Sequence, residues 1–191
     1  MNKLTLVVAV LILLVSVAFA QDAVPTEILQ RTILIKVGDV YGTAFAVDYQ
    51  GKMYLVTARH VVAGLSDTKA TIQIWQSEQW KDYHTVRTLL PASSDVDIAV
   101  FETDEKVTQP YNVAVSDGKS GPTMGQPVWF LGYPYLLSSH FSGKRYPFIK
   151  RGTMSAIDAS RPEAVVIYID GFNNPGFSGG PIVYWDFSKH A

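Results

Sequence analysis

Asn174-Pro175-Gly176-Phe177-Ser178-Gly179-Gly180-Pro181 sets one serine between glycines. A serine hydroxyl is a poor nucleophile at neutral pH. It needs a base to take its proton and backbone donors to hold the oxyanion that forms. Glycines on both sides of Ser178 permit a sharp turn that side chains would block. Such a turn can aim Oγ outward and bring the N–H groups of Gly176 and Ser178 to one spot. Far upstream, Leu55-Val56-Thr57-Ala58-Arg59-His60-Val61-Val62 supplies a base, His60, and Asp95-Val96-Asp97-Ile98-Ala99-Val100 supplies an orienting carboxylate, Asp97. The three occur in the order His, Asp, Ser.

Each has a plainer reading when taken alone. Ser178 could sit in a glycine-rich hairpin turn, and His60 could be a packed histidine near a strand end. Asp97 has a rival in Asp95, on the same side of a strand. The Ile98-Ala99-Val100 continuation favours Asp97, because that strand would bury the carboxylate and hold it against His60, whereas Asp95 follows Ser93-Ser94 as a turn residue would. Gly176-Phe177-Ser178-Gly179-Gly180 also fits the G-x-S-x-G nucleophile elbow. That arrangement needs its acid and then its histidine after the serine, and only Asp186 and His190 follow. His84, His140 and His190 have no comparable context and read as surface residues.

Composition excludes several classes. The chain has no cysteine, so thiol chemistry, disulfides and cysteine zinc sites are out and stability rests on core packing. Its four histidines are too scattered for a local H-E-x-x-H site, and its glycines lack the Lys-Ser/Thr of a phosphate loop. No metal or organic cofactor is implied. A net charge of −1 gives no global pull toward nucleic acid or anionic membranes. The basic stretch from Lys144-Arg145 to Lys150-Arg151 alternates with apolar residues and reads as a strand with a solvated basic face.

Residues 1–20 read as a secretory signal peptide: Lys3, the apolar run Leu4 to Phe19, and an A-x-A site at Ala18-Phe19-Ala20. Cleavage before Gln21 would place the protein outside the cytoplasm, periplasmic or extracellular, with no membrane attachment once the signal is gone. An uncleaved anchor is the competing reading, and the run is short for one.

Runs rich in valine, isoleucine, threonine and aromatics predict strands over 32–37, 42–47, 53–57, 71–75, 85–90 and 98–101, then 127–131, 146–157, 165–169 and 181–185. Helical periodicity is confined to a turn near 25–31 and another around His60. Many short strands at this spacing predict an all-β antiparallel sandwich or barrel. A polar linker at about 104–122, with Pro110 and Gly118, divides a first β unit at about 31–103 from a second at about 123–191.

Six blocks together resemble the trypsin-like serine peptidases, above all the bacterial HtrA/Deg type, over nearly the whole chain after residue 20. They are Gly42-Thr43-Ala44-Phe45-Ala46-Val47, Thr57-Ala58-Arg59-His60-Val61-Val62, Asp97-Ile98-Ala99-Val100, Gly132-Tyr133-Pro134, Gly152-Thr153-Met154-Ser155-Ala156, and the serine block with Asp170 and Asn174 before it. The resemblance implies two six-stranded antiparallel barrels with the catalytic groups between them. It implies a serine endopeptidase acting on polypeptides through His60, Asp97 and Ser178 and an acyl-enzyme, with an oxyanion hole from the N–H groups of Gly176 and Ser178. It places Phe172 and Asn174 at the substrate-binding wall. Phe172 stands where the family sets the floor of its specificity pocket, and an aromatic there favours a small or apolar substrate side chain; alternatively Phe172 packs inside the second barrel. Relatives often act as trimers, and nothing in these residues speaks to oligomeric state.

Two departures matter. Phe177, before the serine, cannot pair with a new N-terminus, so activation by an N-terminal cut is not expected. Only ten residues follow Pro181, where the family needs two further strands to close the second barrel, so the expectation is an incomplete second barrel and a fragment of a longer protein. The alternative to turnover is a non-catalytic peptide-binding or scaffold protein on the same fold.

Overall fold

The computed structural model describes residues 23–65, 69–108 and 121–185. The signal segment, part of the linker, Asp186 and His190 lie outside them. A short helix, α1 (Thr26–Gln30), leads into a seven-stranded antiparallel sheet. Its strands are β1 (Thr32–Val37), β2 (Val40–Tyr49), β3 (Lys52–Thr57), β4 (Thr71–Gln76), β5 (Gln79–His84), β6 (Arg87–Leu89) and β7 (Ala99–Thr103), in the order β5-β4-β1-β2-β3-β7-β6. Alternation decides which face is buried: Met53, Leu55 and Thr57 point inward from β3, and Ile72 and Ile74 from β4. The sheet curls round one apolar core that also holds Ile33, Ile35, Ala44, Ala46, Val61, Val62, Ala99 and Phe101. Each large side chain so buried contributes about 1.5–3 kcal/mol.

The first unit therefore has seven hydrogen-bonded strands where six were expected. The addition is β5, whose Gln-Trp-Lys-Asp-Tyr-His sequence lacks an apolar face. It is held by pairing with β4 from Thr71↔His84 to Gln76↔Gln79. The two-residue turn between them puts Ser77 and Glu78 at φ 54° and 60°, the signature of a type I′ hairpin made without glycine or asparagine. Trp75 and Trp80, opposite each other across this ribbon, pack edge to face at 5.1 Å.

The second sheet has four strands among the described residues: β8 (Pro127–Gly132), β11 (Phe148–Arg161), β12 (Ala164–Asp170) and β13 (Ile182–Val183), ordered β12-β11-β8-β13. A separate ribbon, β9 (Ser139–Phe141) with β10 (Lys144–Tyr146), lies between β8 and β11 in the chain. β11 is long and takes two register shifts, between Met154 and Ala156 and between Asp158 and Arg161. Val128, Leu131 and Met154 are fully buried, while Ile157, Val165, Ile167 and Ile182 stay exposed. The fold is all-β, as expected, and among the described residues the second sheet has four strands to the first sheet's seven.

The two sheets meet through Tyr133, which follows β8. Its hydroxyl donates to the carbonyl of Thr32 at 2.8 Å, and burial pushes its phenol far above the ordinary range.

Candidate active site

Three loops converge at the end of β3, after β13's partner strand β8, and before β7. After β3 the chain enters a single 3₁₀ turn, Arg59–Val62, whose Val61 and Val62 are anchored in the first core. That anchoring leaves His60 facing outward. Asp97 lies two residues before β7 and meets His60 twice. The backbone N–H of His60 donates to Asp97 Oδ1 at 2.9 Å, and His60 Nδ1 lies 2.6 Å from Asp97 Oδ2. Asp95 takes no part: its N–H donates to the Ser93 hydroxyl oxygen at 3.2 Å, as a turn residue does. One expectation fails here. The strand does not bury the carboxylate, because Asp97 precedes β7 instead of lying in it; its side chain is 54% exposed and that of His60 is 57% exposed.

Ser178 reaches the same region by backbone docking. Its carbonyl accepts from the N–H of Thr43 on β2 at 2.9 Å. The next residue, Gly179, lies against the end of β3. A Cβ there would sit 2.2 Å from both Thr43 O and Thr57 Oγ1 and 2.7 Å from Ala58 N, and its φ of +81° independently favours glycine. Gly176, at φ +104°, is pressed on Tyr133, and a Cβ would come within 2.3 Å of that carbonyl. The glycines flanking the serine are thus required by close approach as well as by turn geometry. Among the described residues the N–H groups of Gly176 and Ser178 make no hydrogen bond, and none joins Ser178 to His60. Contacts of that kind often tighten only when substrate binds.

Phe177 is buried, with its ring edge to face against Phe130 at 5.2 Å and its Cα over Gly132. This apolar anchor fixes the peptide between Gly176 and Ser178. Phe172 does not pack inside the second sheet; it is 78% exposed. Asn174 is half-buried, and its side-chain oxygen accepts from Lys150.

Sequence reading did not single out Thr43, Tyr133 or Lys150 individually. Thr43 Oγ1 donates to Gly176 O at 2.7 Å and accepts from Tyr133 N–H at 3.2 Å, joining β2, the serine turn and the end of β8. Thr43 and Tyr133 lie inside two of the family-like blocks, Gly42–Val47 and Gly132–Pro134. Lys150 lies in the stretch that reads as a solvated basic face, and only the fold brings it across to the 172–177 loop. The other histidines stand apart: His84 pairs with Thr71 and His140 with Ser138, both exposed. A surface depression of about 660 Å³ is lined by residues such as Asp48, Lys52, Glu102 and Lys106 and includes none of His60, Asp97 or Ser178. Among the described residues no helix is long and apolar enough to cross a membrane, and no cluster of three metal-ligating side chains occurs.

An all-β chain that joins two sheets, carries a histidine on an aspartate and docks a glycine-flanked serine beside them has the organisation of a trypsin-like protein. The family model described as "Trypsin-like peptidase domain" matches residues 42–186, and the chain belongs to that family. Its similar proteins are of the Do-like and HtrA type. It is 29% identical over 170 residues to "Protease Do-like 1, chloroplastic" of Arabidopsis thaliana, covering 88% of this chain and 34% of that protein. It is 30% identical over 146 residues to "Serine protease Do-like HtrB" of Bacillus subtilis (strain 168), covering 74% of this chain and 29% of that protein. The chain thus spans about a third of the length of these curated relatives. Among solved structures, the HtrA-type protease AlgW with a tripeptide aligns at a TM-score of 0.56 and 22% identity, over 83% of this chain and 48% of that one.

Proposed function

We propose that the protein is an exported serine endopeptidase that hydrolyses polypeptides through His60, Asp97 and Ser178. The observation that carries this reading is the double contact of Asp97 with His60, at 2.9 and 2.6 Å, beside a serine turn fitted to the end of the same strand. With Nδ1 engaged by Asp97, the imidazole's free acceptor is Nε2, the atom suited to take the Ser178 proton. Ser178 Oγ then attacks the peptide carbonyl, and the N–H groups of Gly176 and Ser178 receive the oxyanion. His60 returns the proton to the leaving amine, an acyl-enzyme remains, and water releases it by the reverse sequence. Phe172 and Asn174 line the substrate side. The apolar run 4–19 and Ala18-Phe19-Ala20 support export, to the periplasm or the exterior.

One observation favours a second reading, a peptide-binding protein without turnover: no hydrogen bond joins Ser178 to His60 among the described residues. A fluorophosphonate probe separates the two. Intact mass should show one adduct on the protein, absent in Ser178→Ala and much reduced in His60→Ala. A folded protein that takes no adduct belongs to the second reading.

A further inference from the structure

Lys150 on β11 is a charged group beside the serine loop for which the triad has no use. Its Cα partner across the sheet is Phe130, so both side chains rise on the face that Phe177 covers. From there the ammonium reaches the loop ahead of the nucleophile. It donates to the carbonyl of Phe172 at 3.0 Å and to the side-chain oxygen of Asn174. It stands 4.9 Å from the ring centroid of Phe172 and 5.2 Å from that of Phe177. Every one of these partners is neutral. Among the described residues no carboxylate pairs with Lys150, although ion pairs form at Arg31, Lys52, Arg87 and Arg145. Asp170, close by in the chain, points its N–H at Ser155 and forms no ion pair with Lys150 among them.

Lys150 is half-buried as a residue, and its ammonium is held by carbonyl oxygens and ring faces with no counter-charge beside it among the described residues. An ammonium has three N–H donors, and two are used. The third is left beside Phe172, the exposed residue where substrate is expected to lie, on the loop that ends at Ser178. We infer that Lys150 is a specificity-determining residue that selects an acidic side chain, glutamate or aspartate, on the substrate residue whose carbonyl is attacked. This rests on the peptidase reading above. It replaces the small or apolar preference that the Phe172 ring alone would give: the ring supplies an apolar wall, and the ammonium over it supplies the charge that a carboxylate completes.

The plain rival is a clamp. Lys150 ties Phe172 to Asn174, and its removal would then slow every substrate alike. The test is a set of peptides identical except for glutamate, glutamine, aspartate, asparagine or alanine before the cut, assayed for kcat/KM on the full protein. The fluorophosphonate adduct is measured in parallel as a readout of Ser178 activation that needs no substrate side chain. The wild type should prefer glutamate to glutamine by about tenfold or more, as expected for a charged pairing over a neutral isostere. Lys150→Gln should bring that ratio to near one, and Lys150→Glu should invert it. If the wild type takes the adduct but cuts both peptides equally, the inference is overturned and the peptidase reading stands. The inference is equally overturned if Lys150→Gln lowers all substrates with the ratio unchanged. If the wild type takes no adduct, both fall. The comparison of glutamate and glutamine peptides on the wild type decides the matter even where a Lys150 variant fails to fold.

Discussion

Asp97 holds His60 at two points, its Oδ1 on the backbone N–H at 2.9 Å and its Oδ2 on Nδ1 at 2.6 Å. The first contact fixes where the 3₁₀ turn begins, and the second fixes which ring nitrogen carries the proton. Asp97→Asn keeps the shape and loses the second function, since the amide can present its NH2 to Nδ1 and force the proton onto Nε2. The expected outcome is a fall in kcat of about 10⁴-fold. Folding should be little affected, because both side chains are more than half exposed and such pairs contribute only about 0–1 kcal/mol. Steady-state kinetics beside a thermal melt checks both halves.

Gly179 is the tightest point between the serine turn and β3. An alanine there would drive Cβ to 2.2 Å from Thr43 O and Thr57 Oγ1, both of them held in the buried strand pair, and would occupy a left-handed conformation. The left-handed conformation costs roughly 1–2 kcal/mol and the overpacking roughly 1–3 kcal/mol. Gly179→Ala should therefore lower stability by about 2–5 kcal/mol in urea unfolding. Alanine at Gly38, where nothing lies within 4 Å but φ is also positive, should cost only the conformational part.

Much of this was legible in the sequence, and the exceptions have physical reasons. Runs of β-branched and aromatic residues located β1, β3, β4, β8 and β12, because such residues favour extended backbone. β5 escaped because its pairing with β4 rests on backbone hydrogen bonds and a Trp75–Trp80 contact, with a turn at Ser77-Glu78 that carries no glycine signal. The His60 and Asp97 positions follow from short blocks near strand ends, so local pattern was enough to name them. How exposed Asp97 is could not be read, since it depends on what packs over it from elsewhere. Lys150 was out of reach for the same reason: 22 residues separate it from Phe172, and its partner atoms are a backbone carbonyl and an amide.

Glu102 on β7 sits between Lys52 and Arg87, with its carboxyl 10% exposed and Arg87 at 3.1 Å. The hydrogen bond from Lys52 holds its carboxyl below the usual carboxylate range, and the charges of Lys52 and Arg87 add to this; the same contact raises the Lys52 ammonium. A lowered carboxyl pKa contributes stability at pH values above the unfolded pKa of about 4.3, and that contribution is lost as pH falls through the folded value. Glu102→Gln should therefore be less stable than the wild type at pH 7, with the gap closing as pH drops from about 5 toward 2. Urea midpoints across that range test the sign. A gap that widens in acid would contradict it.

Thr43 is fully buried, and its hydroxyl serves two strangers in sequence, donating to Gly176 O at 2.7 Å and accepting from Tyr133 N–H at 3.2 Å. Its own N–H holds the Ser178 carbonyl at 2.9 Å. Valine would keep the shape and the backbone bond while leaving a buried carbonyl and a buried N–H unpaired, at roughly 1–3 kcal/mol each. Thr43→Val should thus lose about 2–6 kcal/mol of stability. The effect on turnover should be separable. Gly176 and Ser178 are the two proposed oxyanion donors, and freeing the Gly176 carbonyl loosens the Gly176–Phe177 peptide that links them. A displacement of about 1 Å can cost about 10²-fold in rate, and the loss should fall on kcat more than on KM, because the oxyanion exists only after attack. Thr43→Ser, which retains the hydroxyl, should restore most of kcat even if the lost methyl leaves some instability. If valine and serine reduce kcat equally, Thr43 acts through packing alone, and the hydroxyl has no part in placing the oxyanion donors.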